Sequence, residues 1–152
     1  MLKILRASVD DSEMIAACTR DAYSCEMSKY VGEGKISERP TSNEVLHDIE
    51  NHTYYKIMLD DTIIGGVIIM EEDEQTVSIQ DFCIAPPYQN RGYGKLVLSE
   101  LERLHNDIPR WVLTTPVYSV GNQHLYEKQG YKKVKIDDFG GTLCVYYEKY
   151  RM

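Results

Sequence analysis

A loop with two glycines constrains this chain more than any other feature of its sequence. Residues 89–95 read Gln-Asn-Arg-Gly-Tyr-Gly-Lys, and they lie between a strand-like run, 77–84, and a helix-like run, 94–105. Glycines at a strand-to-helix turn let backbone N–H groups approach an anion, and the positive end of the helix dipole adds to the attraction. We name residues 89–95 the phosphate loop, because they predict a site for a phosphate-bearing ligand.

The spacing of the glycines excludes two common nucleotide motifs. A Walker loop needs a first glycine where this chain has Gln89, and it needs a serine or threonine after its lysine, where this chain has Leu96. A dinucleotide fingerprint needs a third glycine three residues after Gly94, where Val97 stands. The loop therefore fits neither kind of nucleotide site.

Two longer sequence patterns frame the middle of the chain. Residues 89–94 fit the pattern Gln/Arg-x-x-Gly-x-Gly/Ala, and a strand-then-proline segment, 81–86, leads into them. Residues 125–131 read Leu-Tyr-Glu-Lys-Gln-Gly-Tyr, which is close to the pattern Leu-Tyr-x-x-x-Gly-Phe. Both patterns, in this order, are signatures of the GNAT N-acetyltransferase superfamily, which the chain resembles over most of its length.

Hydrophobic periodicity predicts an α+β fold, and the 152 residues, 43% of them hydrophobic, suffice for a single domain over residues 1–152. The resemblance implies a mixed, mostly antiparallel central sheet that is flanked by helices and splayed near its middle. Residues 24–40 are predicted to form a loop or short helix, and the acidic run 71–74 a solvated turn. The predicted strands are 2–7, 53–59, 62–70, 75–85, 111–115, 131–136 and 143–150; the predicted helices run from 8 or 10 to 23, from 41 or 42 to 51, from 94 to 105 and from 120 to 129.

The resemblance implies transfer of an acetyl group from acetyl-CoA to a primary amine by direct attack of the amine. Backbone N–H groups of the phosphate loop are expected to wrap the pyrophosphate, with Arg91 and Lys95 as charge partners. The strand before the loop is expected to offer backbone groups to the pantetheine arm. The predicted cofactor-binding residues are Phe82, Cys83, Ile84, Gln89, Asn90, Arg91, Gly92, Tyr93, Gly94, Lys95, Ser119 and Asn122.

Tyr126 resembles the tyrosine that protonates the CoA thiolate as general acid in many members of the superfamily. The alternative is a buried aromatic residue that only packs against the cofactor. The superfamily often has an asparagine seven residues before this tyrosine, where the chain has Ser119. Ser119 could instead cap the helix, and Asn122, one turn before Tyr126, could replace the missing amide.

The general base is less clearly marked in the sequence. Some members carry a glutamate at a position near Ser78, and a serine is too weak a base for this role. Asp81 lies on the same strand, and alternation predicts that it shares a sheet face with Val77 and Ile79. Asp81 could act directly, through water, or only as a structural hydrogen-bond acceptor. Glu71, Glu72, His124 and an ordered water chain stay open as alternatives.

The acceptor is expected to bind near the first helix, the segment 24–40 and the segment after Ile136. The side chains of Tyr23, Glu26, Tyr30 and Glu33 could hold an ammonium group by carboxylate and cation–π contacts. This composition favours a small-molecule amine, such as a polyamine, an aminoglycoside-like compound or an amino-acid derivative. A peptide N-terminus also fits.

The charge distribution argues against nucleic acid as a partner. The net charge is −7. Residues 1–85 hold 17 acidic and 7 basic side chains, whereas residues 86–152 hold 7 acidic and 10 basic ones. Nucleic-acid binding needs a concentrated basic face. The acidic half of the chain suits a cationic partner better, or simply keeps the protein in solution.

Cysteine usage and hydropathy predict a cytoplasmic, metal-free protein that does not enter membranes. The four cysteines lack a Cys-x-x-Cys pair, which argues against disulfides and zinc. The N-terminus lacks a signal peptide, and the longest apolar run, 63–70, is too short to span a bilayer. A homodimer could form through the alternating Leu143, Val145 and Tyr147. A CoA-binding module without catalysis, and transfer of another acyl group, remain alternative functions.

Overall fold

The structure, a computed structural model, describes residues 1–32 and 37–151. This part of the chain contains seven strands and four α-helices. They follow one another in the predicted order, with the first and last strands at opposite ends of the chain. The strands are β1 Leu2–Arg6, β2 Thr53–Leu59, β3 Thr62–Asp73, β4 Thr76–Ile84, β5 Arg110–Pro116, β6 Lys132–Phe139 and β7 Thr142–Tyr150; the helices are α1 Ser12–Tyr30, α2 Ser42–Asn51, α3 Tyr93–Leu104 and α4 Val120–Lys128.

The strands form one mixed sheet in the order β1-β2-β3-β4-β5-β7-β6. Only β4 and β5 run parallel, and the other neighbours are antiparallel, which confirms the predicted fold class. Residues 76–78 of β4 pair with 110–112 of β5, and the pairing stops there although both strands continue. The sheet therefore splays in its middle, and a cleft opens between the ends of β4 and β5.

Each face of the sheet packs against its own pair of helices. On one face, Val97, Leu98 and Leu101 of α3 are buried against Trp111 and Tyr147 of the sheet. These helical residues are successively one and three residues apart, so they share one side of α3. Burying each such side chain stabilises the fold by roughly 1.5–3 kcal/mol. The other face is covered by α1 and α2, whose buried residues include Ile15, Ala16, Val45 and Ile49.

α1 is longer than predicted, because it continues past residue 23 to Tyr30. Residues 24–30 therefore continue α1, and the prediction of a separate loop or short helix from residue 24 was wrong for them. No glycine or proline interrupts this stretch before Gly32, and the Met27 carbonyl accepts hydrogen bonds from the N–H groups of Val31 and Gly32 at 2.8 and 3.0 Å. Residues 33–36 of the predicted loop lie outside the described part of the chain.

α2 begins where the sequence predicts, at a capping box. The Thr41 hydroxyl accepts a hydrogen bond from the Glu44 N–H at 3.2 Å, and the Glu44 carboxylate accepts one from the Thr41 N–H at 3.1 Å. These two bonds satisfy N–H groups that lack a partner within the helix.

β3 extends into the acidic run that the sequence assigned to a turn. Glu71, Glu72 and Asp73 belong to β3, and only residues 74–75 form the turn. The pairing of β3 with β4 continues to the end of the hairpin. The acidic side chains are exposed there, so the pairing buries none of their charges. The prediction of a turn at 71–74 was therefore wrong for its first three residues.

A β-bulge near the end of β4 changes the direction of Asp81. Gly66 pairs with Cys83 and Ile68 with Gln80, so that two residues of β4 lie opposite one of β3. Asp81 has a φ of +48°, which is unusual for a residue other than glycine. Its side chain lies beside Tyr23 of α1, and the prediction that it shares the face of Val77 and Ile79 was wrong. Simple alternation fails here because the bulge inserts an extra residue.

Within the described residues, no helix has both the length and the apolar character needed to cross a membrane.

Candidate functional site

A cleft of about 520 Å³ lies where β4 and β5 separate. Its walls are the end of β4, the phosphate loop, the start of α4 and the C-terminal half of α1. The lining contains Tyr126 and every predicted cofactor-binding residue except Arg91, and it does not contain Asp81. The residues that the sequence predicts for cofactor binding thus lie around one cavity.

The two glycines of the phosphate loop are required for different reasons. Gly92 precedes α3 with a φ of +84°, and a β-carbon there would have no atom within 4 Å, so its backbone faces open space. Asn90 also has a positive φ, +61°. A β-carbon on Gly94 would lie 3.0 Å from Leu125 Cδ2, so Gly94 lets α3 and α4 pack closely. An anion can therefore approach the loop beside Gly92 and the N-terminus of α3.

The polar side chains of the phosphate loop differ in whether they already have a partner within the described part of the protein. Gln89 Nε2 donates a hydrogen bond to the Ile84 carbonyl at 2.7 Å, which fixes the loop to the end of β4. Arg91 and Lys95 are exposed, and neither forms a salt bridge to any described residue. Lys95 lines the cleft, whereas Arg91 lies outside its lining. Lys95 is therefore the basic side chain of the loop that is placed beside the cavity.

Cys83 lies in the wall of the cleft as a neutral thiol. Its Sγ lies 3.2 Å from Thr19 Oγ1 on α1. Burial raises the pKa of the Cys83 thiol to about 11. A thiol that stays protonated at neutral pH is a weak nucleophile, so a covalent acyl-cysteine step is disfavoured. All four cysteines, Cys18, Cys25, Cys83 and Cys144, are free.

Tyr126 is held by other aromatic rings and opens toward the cleft. It is 6% exposed, and its ring centroid lies 6.0 Å from those of both Tyr131 and Tyr147. Its hydroxyl has no hydrogen-bond partner among residues 1–32 and 37–151. Burial, followed by the negative charge of Glu26, raises the pKa of the Tyr126 hydroxyl. Tyr126 is therefore protonated at neutral pH, as a proton donor must be.

Ser119 and Asn122 line the cleft at the start of α4. Ser119 is 1% exposed, and although it precedes the helix, its side chain makes no capping hydrogen bond. The alternative that Ser119 caps α4 through its side chain was therefore wrong. Gln123 fixes the loop before α4 instead, because its Nε2 donates a hydrogen bond to the Val117 carbonyl at 2.6 Å.

Asp81 lies beside the cleft rather than in its lining. Its Oδ1 lies 3.5 Å from the hydroxyl of Tyr23, which does line the cleft. Although Asp81 is exposed, partial desolvation by the neighbouring protein and the charge of Asp48 raise the pKa of its carboxyl. Tyr23 therefore connects the cleft to a carboxyl group whose pKa is shifted toward neutrality.

α1 crosses the opening of the sheet and supplies the acceptor-side candidates. Tyr23, Glu26 and Tyr30 all line the cleft, while Glu33 lies outside the described residues. Tyr30 reaches the far wall, where its ring centroid lies 6.2 Å from that of Tyr118. Sequence reasoning missed Met27, Lys29 and Tyr118 as lining residues. Helical spacing from residue 23 to residue 30 was the available signal, but the prediction for that stretch was a loop or short helix.

Two further predictions concern metals and dimerisation. Among the described residues, no group of three or more His, Cys, Asp or Glu side chains is placed to hold a metal ion. Val145 and Tyr147 are buried in the core, and only Leu143 of the proposed dimer residues is exposed. The alternating pattern in β7 therefore reflects packing against α3 and α4, and the predicted dimer surface was wrong for two of its three residues.

Comparison with known proteins identifies the family of this chain. The Acetyltransferase (GNAT) family model matches residues 17–131. No curated protein sequence matched the chain. The fold is similar to that of a GNAT acetyltransferase from Streptococcus agalactiae, with a TM-score of 0.84 at 20% identity over 99% of this chain and 96% of the other. It is also similar to the PaiA N-acetyltransferase of Thermoplasma acidophilum in complex with coenzyme A, with a TM-score of 0.80 at 21% identity over 99% of both chains.

A third solved structure extends this likeness to a protein with acetyl-CoA. YncA of Salmonella typhimurium, solved with its cofactor acetyl-CoA, has a TM-score of 0.70 at 14% identity over 98% of this chain and 93% of the other. At such identities the solved structures show that the fold is shared, and the family model supplies the assignment over three quarters of the chain. This protein therefore belongs to the GNAT acetyltransferase family.

Proposed function

We propose that the protein transfers the acetyl group of acetyl-CoA to a primary amine of a small molecule, in a complex that contains both substrates. The observation that carries the proposal is the single cleft that joins the phosphate loop to the hydroxyl of Tyr126. The cysteine pattern of the sequence favours the cytoplasm as the site of this reaction.

The residues of the cleft fit acetyl-CoA. The positive φ and the open space at Gly92 suit the pyrophosphate, with Lys95 as a charge partner. The end of β4 does not pair with β5, so Phe82, Cys83 and Ile84 can offer backbone groups to the pantetheine arm. Ser119 and Asn122 supply polar side chains on the opposite wall. When bound, acetyl-CoA supplies a thioester that a neutral amine can attack.

Tyr126 acts as general acid in this proposal. As the carbon–sulfur bond breaks, the departing thiolate needs a proton, and the Tyr126 hydroxyl is protonated and free to donate one. The rings of Tyr131 and Tyr147 pack beside the ring of Tyr126. Solvent then returns the proton to the tyrosine.

Asp81 acts as general base, through Tyr23 or an ordered water. The acceptor must lose one proton to become a nucleophile and another after attack. The raised pKa of Asp81 makes it a stronger base than an ordinary aspartate, and its contact with Tyr23 gives it access to the cleft. Glu71 and Glu72 are less well placed, since they lie at the exposed end of β3.

Acceptor-dependent release of CoA thiol tests the proposal. The acceptor panel should include diamines, aminoglycosides, amino acids and short peptides, and acetyl-CoA binding is measured in the same preparation. We expect thiol release with at least one small amine. Binding without release for any acceptor would instead favour a CoA-binding module, and release from other acyl-CoA thioesters at the same rate would contradict acetyl specificity.

A further inference from the structure

Tyr126, the proposed proton donor, lies in the last turn of α4, close to the point where the helix ends. α4 ends at Lys128, and Gly130 follows with a φ of +94°. The Tyr126 carbonyl accepts hydrogen bonds from the N–H groups of Gln129 and Tyr131, both at 3.0 Å. The ends of short helices fray unless other contacts stabilise them, so the position of Tyr126 depends on what holds this turn.

A side-chain hydrogen bond connects the same turn to the central sheet. The hydroxyl of Tyr147, on β7, donates to Glu127 Oε2 at 2.6 Å. Tyr147 is fully buried, and its ring centroid lies 6.0 Å from that of Tyr126. Burial, followed by the hydrogen bond to Glu127, raises the pKa of the Tyr147 hydroxyl, so this hydroxyl stays protonated and donates. Hydrogen bonds to a carboxylate are stronger than hydrogen bonds between neutral groups.

A second contact of the Glu127 carboxylate is weaker. Lys133 Nζ, on β6, lies 3.8 Å from Glu127 Oε2, and the two side chains are 53% and 44% exposed. Exposed ion pairs contribute little to stability, because water screens the charges and both side chains lose freedom when they pair. The buried hydroxyl of Tyr147 therefore supplies the stronger of these two contacts between Glu127 and the sheet.

We propose that the hydrogen bond between Tyr147 and Glu127 positions Tyr126 for proton donation to the departing thiolate. This inference rests on the proposed transferase function and on Tyr126 as its general acid. Tyr147 packs beside the ring of Tyr126, and through its hydroxyl it fixes the next residue of α4. One side chain therefore restricts both the ring and the backbone of the donor. Glu127 and Tyr147 are positioning residues, since neither lines the cleft.

The expected effect of losing this bond follows from the geometry of proton transfer. A donor must lie within hydrogen-bond reach of the leaving atom, and a displacement of about 1 Å can reduce the rate by about 100-fold. The proposed contacts to the pyrophosphate and the pantetheine arm come from the phosphate loop and the end of β4, which lie outside α4. Loss of the bond should therefore lower kcat and leave the KM of acetyl-CoA nearly unchanged.

Single substitutions at this pair test the inference with an amine that the protein acetylates. Tyr147→Phe removes only the hydroxyl, and we expect kcat to fall about tenfold while the KM of acetyl-CoA changes by less than about twofold. Glu127→Gln should keep kcat within about threefold of the wild-type value, because its amide oxygen can still accept the bond. Lys133→Met removes the weaker contact and should change neither constant. Thermal unfolding confirms that each variant is folded at the assay temperature.

A double substitution distinguishes positioning of Tyr126 from a general effect on the fold. If the bond acts through the Tyr126 hydroxyl, Tyr147→Phe should lower kcat by less than about twofold in a protein that already carries Tyr126→Phe. The same tenfold loss in both backgrounds would overturn the inference, because the bond would then act independently of the proton donor. An unchanged kcat in the single variant Tyr147→Phe would also overturn it.

Amide hydrogen exchange separates this inference from the proposed function, because it requires no turnover. Exchange at the Gln129 and Tyr131 N–H groups should be at least about fivefold faster in Tyr147→Phe, and exchange at the His105 N–H, at the end of α3, should not change. Faster exchange at the first two groups, in a protein that acetylates no amine, would support the anchoring of α4 and contradict the transferase function. Turnover with unchanged exchange would keep the function and overturn the inference. Absence of both effects would overturn both.

Discussion

In the proposed transfer, the hydroxyl of Tyr126 protonates the departing thiolate, and this role can be tested by removing one oxygen atom. Tyr126→Phe should lower kcat about 100-fold or more, because the departing thiolate loses its proton donor. Acetyl-CoA affinity, measured by calorimetry, should stay within about twofold, because the ring remains.

Tyr131→Phe is the matched control for Tyr126→Phe. Tyr131 contacts Tyr126, and its own hydroxyl is buried without a hydrogen-bond partner in the described part of the chain. Removing an unpaired buried hydroxyl should leave the free energy of unfolding unchanged or higher, and kcat should not change. If Tyr126→Phe turned over at the wild-type rate, Tyr126 would have a packing role only.

Gly92 is the residue at which acetyl-CoA binding can be blocked with little change in packing. Gly92→Glu should weaken acetyl-CoA binding by about 100-fold or more, because the carboxylate fills and repels the pyrophosphate site. The positive φ adds a backbone cost of roughly 1–2 kcal/mol. Calorimetry measures the affinity, and thermal unfolding measures the cost.

Gly140→Glu controls for that backbone cost. Gly140 lies in the turn between β6 and β7, has a φ of +65°, and has open space around its α-carbon. This variant should lose similar stability and retain acetyl-CoA affinity. Equal loss of affinity in both variants would mean that Gly92 is needed for folding rather than for the phosphate.

At the scale of elements, the bulge in β4 sets the direction of the Asp81 side chain, which lies beside Tyr23. The raised pKa means that the ionised carboxyl is less stable in the folded protein than in the unfolded chain. Folded stability from this group is therefore present below its unfolded pKa and is reduced as the pH rises through its folded pKa. Asp81→Asn should raise the unfolding temperature at neutral pH and lower kcat/KM.

With Asp81 as the proposed general base, the same pKa shift sets the acidic limb of the pH–rate profile. A base must be deprotonated, so kcat/KM should fall as the pH drops through the raised pKa of Asp81. Asp48→Asn removes the neighbouring negative charge and should move this limb to lower pH. A limb that stays in place in Asp48→Asn and in Asp81→Asn would rule out Asp81 as the titrating base.

The elements that local sequence determines were predicted well. The phosphate loop, the capping box of α2 and the β2–β3 hairpin depend on residues close together in the chain, and the structure has each of them. The length of α1 was missed although no glycine or proline interrupts the chain before Gly32. The direction of Asp81 follows from the bulge in β4, which an alternating pattern does not predict.

At the scale of the whole molecule, the cavity joins residues from distant parts of the chain. Glu26 comes from α1, whereas Tyr118 lies between β5 and α4, and Tyr126 lies in α4. A sequence can name such residues individually, but their proximity follows only from the splay of β4 and β5. The two sequence signatures predicted the residues for cofactor binding, because those residues lie close to one another in the chain. The signatures gave no information about the residues that bind the acceptor.

An ion-pair network joins the C-terminal strand to α3. The Glu102 carboxylate accepts hydrogen bonds from Lys149 Nζ at 3.0 Å and lies 3.2 Å from Arg151 Nε. Glu102→Ala leaves both cations without a carboxylate partner and should destabilise the fold by about 2 kcal/mol. Glu100→Ala, which breaks an exposed pair with Arg103, should change the free energy of unfolding by less than about 0.5 kcal/mol. Equal changes in the free energy of unfolding of the two variants, measured with urea, would show that the Glu102 network stabilises the fold no more than the exposed pair does.

We propose that the cleft transfers an acetyl group to a small amine. The most direct measurement is mass spectrometry of the amine panel after incubation with acetyl-CoA and the protein, with Tyr126→Phe in parallel. We expect a singly acetylated small amine with the wild-type protein and strongly reduced product with the variant. Absence of an acetylated amine from a preparation that binds acetyl-CoA, or equal product from both proteins, would contradict it.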